Sequence, residues 1–109
     1  MDLREIQELI RHGNYEFSVH AQQERLEEHL DLTEIETALI GTAELLEEYP
    51  NDPRGESCLV LAFIGTRPIH VVLGWASRKQ DGSKRLRMIT VYVPILPKWV
   101  DARTRRRTV

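Results

Sequence analysis

The stretch GTRPIHVVLGWA (65–76) sets His70 inside an apolar run, three residues after Arg67. A second histidine, His20, opens VHAQQER, with Arg25 five residues further on. Imidazole and guanidinium together are what metal-independent RNA cleavage requires. One group takes the 2′-hydroxyl proton, another protonates the departing 5′-oxygen, and a cation holds the phosphate as charge builds. Histidine titrates near neutrality, and the arginine fork binds oxygens in pairs. On this chemistry His70 and His20 are the candidates for proton transfer, and Tyr92 could add a hydroxyl. Arg67, Arg25, Arg87 and Arg85 are candidate phosphate contacts, and Lys84 and Arg78 would extend their rim.

Each candidate has a plainer alternative. His70 equally fits a neutral histidine buried beneath a loop and bonded to a backbone carbonyl. His20 lies where a helix dipole favours the neutral imidazole, the form a general base needs. At about 100° per residue, however, Arg25 stands about 140° round the helix from it. The plainer reading has His20 capping or packing against the sheet, with Arg25 pairing with Glu28 or the chain after it. Tyr92 and Thr90 can be packing residues, and Trp75 reads as core. Trp99 either covers the core edge or stacks on a base. The run RTRRR (103–107) is either a solvated tail or a nonspecific nucleic-acid contact.

Other chemistries lack their residues. Cys58, His20 and His70 have no zinc-like spacing, and Cys-x-x-Cys pairs are absent. Cys58 sits in an apolar run and reads as a small hydrophobe. Neither a glycine-rich phosphate loop nor a G-x-S-x-G turn occurs, so no metal and no cofactor is expected.

The elements that must position these residues are legible. Asp2 with Glu5, and Gly13 beyond, bracket a helix over about 3–12 with Leu3, Ile6, Leu9 and Ile10 on its apolar stripe. Ser18 caps a second helix carrying VHAQQERLEEHL, whose Val19, Leu26 and Leu30 predict its buried line. Thr33 and Glu36 form a capping box for a third helix, closed by Gly41. Strands follow: AELLEEYP, then SCLVLAFIG and RPIHVVLGWA joined by a Gly-Thr turn, then RLRMITVYV stopped by PILPKW. Helices first and strands later predict an α+β domain over 1–100. Its helices would pack on one face of an antiparallel sheet of three to four strands, followed by a mobile basic tail over 101–109. Alternation places Ile69, Val71, Leu73 and Trp75 toward the helices, with Ile89, Val91 and Val93 beside them. His70, Met88, Thr90 and Tyr92 then share the opposite, open face.

Composition bounds the rest. The chain has 109 residues, 41% of them hydrophobic and 29% charged, as in a globular domain with one core. No stretch is apolar enough to span a membrane, MDLREIQELI has no signal-peptide core, and a lone cysteine fits a reducing compartment. A cytoplasmic protein is expected. The net charge of −2 hides a division: residues 1–50 hold three basic and thirteen acidic groups, residues 51–109 twelve and four. The halves therefore carry −10 and +8. That asymmetry suits an anionic partner for the basic half, or halves that attract each other.

The segments SVHAQQERLEEHLDLTEIETAL, GTAELLEEYPNDPRGESCLVL, RPIHVV and ITVYVPILPKW together resemble the DUF4258 family, small bacterial and archaeal proteins, over about 10–103. The His20–Arg25 spacing is longer than the H-A-x-x-R of many members. The resemblance implies a fold similar to that of RelE-, BrnT- and MqsR-like toxins. It also implies the toxin-like half of a type II toxin–antitoxin pair, RNA-binding and an endoribonuclease of the mRNA-interferase kind, partnered by a YgiT-type zinc-finger antitoxin. A non-catalytic interaction module, or a homodimer, is the alternative from another class.

Overall fold

A computed structural model describes residues 1–77, 82–96 and 98–106; Arg78 and Arg107 lie outside the described residues. Helix α1 (Leu3–Arg11) starts where the Asp2 carboxylate accepts the Arg4 amide at 3.2 Å. Its apolar stripe buries Ile6 and Ile10. Gly13, at φ +72°, ends it, its amide returning to the Ile10 carbonyl and that of Asn14 to Leu9. A short strand β1 (Tyr15–Phe17) follows, then α2 (Val19–Glu27) and α3 (Leu32–Thr42). Helix α3 starts at Asp31 rather than at the expected Thr33 box, and Asp31 makes no side-chain cap bond.

The strands β2 (Glu44–Tyr49), β3 (Ser57–Ile64), β4 (Arg67–Trp75) and β5 (Leu86–Tyr92) complete an α+β fold. The sheet has five strands in the order β1-β5-β4-β3-β2, not three to four. The extra strand is β1, three residues long and paired parallel to β5, with Tyr15, Glu16 and Phe17 opposite Leu86, Arg87 and Met88. A strand so short shows no usable alternation. The remaining pairs are antiparallel, as expected.

One face carries the core. Ile6, Ile10, Ala21, Leu30, Ile35 and Leu39 from the helical layer pack on Cys58, Val60, Ile69, Val71, Leu73, Leu86, Met88 and Val91. Met88 belongs to this face, contrary to simple alternation, because the β4–β5 register shifts between Val72 and Leu73. Val72 faces Thr90 and Leu73 faces Met88, leaving Ile89 as the extra residue. The bulge reverses the side on which β5 points its residues. Leu86 and Met88 thus lie inward before it and Val91 inward after it, while Thr90 and Tyr92 join His70 on the opposite face.

Helix α2 departs from its expected packing. Val19 and Leu26, two members of the expected buried line, are 76% and 62% exposed. Inward it turns Ala21, fully buried, with Glu24, Arg25 and Glu28 half-buried around it. These polar groups are used: Glu24 accepts the Val91 amide at 3.0 Å, capping the edge of β5, and Arg25 donates to the Leu30 carbonyl at 3.2 Å. Arg25 also stands 5.7 Å from the Phe17 ring centroid. The helix is placed by hydrogen bonds to a strand edge, so Val19 and Leu26 are left in solvent, while Leu30, the third member of the line, is buried just beyond the helix.

Candidate functional site

The sheet face opposite the helices should be wet and cationic, with His70 at its centre. His70 does lie on that face, directly opposite Leu61 on β3 and Tyr92 on β5. It is fully buried there. Its cover is the segment 98–106, part of the stretch that composition reads as a mobile tail. Trp99 is 2% exposed and lies edge-on to the imidazole, with ring centroids 4.3 Å apart. Trp99 and Arg105 form an antiparallel bridge, closed by Val100 N–H to the Thr104 carbonyl at 2.8 Å and Arg106 N–H to the Lys98 carbonyl at 2.9 Å.

Two arginines anchor this strap to the acidic strand β2. Arg105 grips Glu47 through a bidentate fork, both bonds 2.8 Å, and reaches the Tyr49 hydroxyl at 3.3 Å. The Tyr49 hydroxyl itself donates to Glu47. Arg103 binds Glu44 at 2.9 Å and stands 5.9 Å from the Phe63 ring centroid. Arg105 also lies over the Trp99 ring at 4.6 Å. The Arg105 bonds hold the Glu47 carboxyl below its ordinary pKa, and Glu47 in turn raises that of Arg105.

Under the strap the polar atoms form one chain. The Trp99 indole N–H donates to the Tyr92 hydroxyl at 3.1 Å, and that hydroxyl meets His70 Nδ1 at 3.1 Å. His70 Nε2 lies 2.6 Å from the Ala102 carbonyl, which can only accept, so Nε2 carries the proton and Nδ1 accepts from Tyr92. Burial lowers the His70 pKa, so the neutral ring is favoured. Both nitrogens are occupied. This is the plainer of the two arrangements open to His70, and it gives a substrate proton no unoccupied nitrogen to reach.

The other candidates stand elsewhere. His20 is exposed in the first turn of α2, its Nε2 3.2 Å from Glu24, on the helical side of the sheet. Arg67, the first residue of β4, reaches the Glu28 carbonyl and carboxylate at 3.4 Å. Arg85 donates to the Tyr15 carbonyl at 3.0 Å, and Arg85 and Arg87 flank Glu16 at 3.8 and 3.9 Å. Arg87 pairs with Gly74, four residues along β4 from His70, a separation of about 13 Å at 3.3 Å per residue. Of the seven candidates, only His70 and Tyr92 touch. Glu47, Tyr49 and Arg105 are the partners that residue types alone did not single out; the sole hint was a basic run with an acidic strand to receive it.

The charge division resolves in the same way. Lys84–Glu5, Arg85–Glu16, Arg87–Glu16, Arg67–Glu28, Arg103–Glu44 and Arg105–Glu47 all join a basic residue of the second half to an acidic one of the first. Much of the positive charge is therefore matched within the chain. Cys58 is buried, its thiol pushed up to about 11 by desolvation. Among the described residues no group of three or more histidines, cysteines or carboxylates is placed to hold a metal ion, and no helix is long and apolar enough to cross a membrane.

No curated protein and no solved structure matches the chain. One family model does, described as a domain of unknown function, DUF4258, over residues 17–93. The match begins at the end of β1 and runs through α2, His70 and Tyr92 to the end of β5. With well over half its length so matched, the chain belongs to the DUF4258 family.

Proposed function

We propose that this protein is a non-catalytic interaction module, the protein-binding half of a toxin–antitoxin-like pair. The observation that carries the reading is α2, which turns Glu24 and Arg25 inward and leaves Val19 and Leu26 in solvent. An apolar stripe outside a helix whose own packing is complete is a surface for another polypeptide. The scattering of the seven candidate residues agrees with it. Candidate partners are a YgiT-type zinc-finger protein, as the family resemblance implies, or a second copy of the chain.

The test combines two measurements. Purified protein is incubated with mixed-sequence RNA without metal, and binding is read for the wild type and a Val19→Glu, Leu26→Glu double variant. Binding is followed as self-association and as co-purification with the product of a neighbouring frame carrying two Cys-x-x-Cys pairs. Intact RNA, with binding lost in the double variant, is the expected outcome. RNA cleavage that disappears in His20→Ala overturns the reading.

One observation favours a second reading, an RNA-binding toxin-like protein. Lys98, Arg103, Arg105 and Arg106 are all exposed within nine residues of one strap. Phosphate binding by such a cluster weakens linearly in log Kd with log salt, by roughly 0.7 per phosphate neutralised on a single strand. A slope of that size, lost in Lys98→Glu with Arg106→Glu, would favour it.

A further inference from the structure

The large exposed apolar side chains among the described residues fall in just two places. Val19 and Leu26 lie on α2; Ile95, Leu96 and Val100 lie on the chain leaving β5 and on the strap, 66%, 63% and 58% exposed. The two patches carry opposite charge. Around Leu26, at the junction of α2 and α3, stand Glu27, Asp31 and Glu34, exposed and without an ion pair among the described residues. Around Val100 stand Lys98 and Arg106, likewise exposed and without an ion pair among them.

The fold sets both patches at one end of the sheet. Ser18 bonds to the Met88 and Ile89 carbonyls and Glu24 to the Val91 amide, so α2 runs along β5 in the strand's own direction. Arg67 ties Glu28 to the start of β4. The same end of β4 faces the end of β5, where His70 pairs with Tyr92 and the chain leaves toward Ile95. An acidic apolar patch on the helical layer and a basic apolar patch on the strap layer therefore lie toward the same end of the sheet.

We propose that the occupant of this edge is a second copy of the chain, in a two-fold dimer that sets each acidic patch against its mate's basic one. This deepens the interaction reading and rests on it. A two-fold axis makes the contact twice, so each apolar cluster is covered and each acidic patch faces a basic one.

A charge-exchange experiment tests this. Mass in solution is measured by light scattering and sedimentation over a concentration series for the wild type, Glu27→Lys, Lys98→Glu and an equimolar mixture of the two variants, with circular dichroism checking the folds. The wild type should dimerise, more weakly at high salt. Each variant alone places like charges in both contacts and should weaken dimerisation by about tenfold. In the mixed pair one contact is fully exchanged and the other native, so mixing should restore dimerisation to near the wild-type level. A wild type that stays monomeric throughout, or a mixture no tighter than its components, overturns the proposal. A monomer that still binds a zinc-finger partner through Val19 and Leu26 sinks the dimer and leaves the interaction reading standing; RNA cleavage lost in His20→Ala sinks that reading itself.

Discussion

Replacing His70 by alanine should destabilise the protein severely, and the size of the effect follows from what the imidazole touches. The ring is fully buried, bonds to the Ala102 carbonyl at 2.6 Å and the Tyr92 hydroxyl at 3.1 Å, and packs against Trp99. Truncation leaves that carbonyl without its donor and removes one of the hydroxyl's two partners, at about 1–3 kcal/mol for each group left unpaired. It also opens a cavity, worth about 24 cal/mol per Å3 that does not collapse. Together these come to about 4 kcal/mol, a large part of the total stability of a domain this size. In melting temperature that is about 15–20 °C.

Urea unfolding followed by fluorescence measures it, with Trp75 and Trp99 as reporters on opposite faces of the sheet. A His70→Phe variant separates the contributions, because it keeps most of the ring volume but none of the hydrogen bonds. It should lose about 2 kcal/mol, roughly half the alanine effect. The damage should also be local first. Amide exchange at Val100 and Arg106, whose N–H groups close the strap, should quicken by more than exchange at Val71 or Val91 in the core. An alanine variant that unfolds within about 0.5 kcal/mol of the wild type would refute this account of a sealed, structural histidine.

Three further outcomes follow from the same geometry. Burial holds the folded His70 pKa below the unfolded value of about 6.5, so the unfolded chain binds the extra proton first. Stability should therefore be full above that pH and fall as acid is added below it, and His70→Phe should flatten this slope in a pH series of urea melts. Glu47, whose pKa Arg105 depresses, adds stability that is present above its unfolded value of about 4.3 and lost as pH falls through the folded one. Glu47→Gln should thus loosen the strap at pH 7, seen as faster protease cutting within 98–106, by a margin that shrinks as pH falls through the folded Glu47 value. Finally, His29 holds a φ of +56° after α2, its amide bonding to Leu26 and that of Leu30 to Arg25, the position Gly13 fills after α1. His29→Gly should raise stability by about 0.5–1 kcal/mol in thermal melts.

What the sequence revealed and what it withheld have separate physical causes. The helices, the three long antiparallel strands and the face on which His70 lies were legible because each rests on local periodicity and capping. The face of α2 was not. Its apolar stripe predicts burial, yet the helix is fixed by Glu24 and Arg25 bonding to a strand edge and a loop carbonyl, and such partners are known only once the fold has formed. The place of Met88 was hidden for a related reason. A bulge adds one residue to a strand without marking it, and every side chain beyond then changes sides.

The strap shows the same limit most sharply, because composition and fold give opposite accounts of it. Read alone, arginines at 103, 105 and 106 after a proline-rich stop look like a solvated tail or a phosphate contact. Glu44 and Glu47, fifty-eight or more residues earlier, convert them into anchors. With Arg105 holding Glu47, Trp99 lies buried against His70, and the imidazole beneath loses its access to solvent. A charge far away in sequence thereby decides whether a histidine is open or sealed. The reading of His70 turns less on its own strand than on whether an acidic strand waits for the chain's basic end. In DUF4258 relatives that carry a histidine in this strand but lack acids in the strand matching β2, the strap should not close, and the imidazole should be open and titrate near its ordinary value. Chemical-shift titration of that histidine in such a relative, and in a Glu44→Lys, Glu47→Lys variant of this chain, would decide it: an imidazole that stays sealed in both breaks the link between the acidic strand and the buried ring.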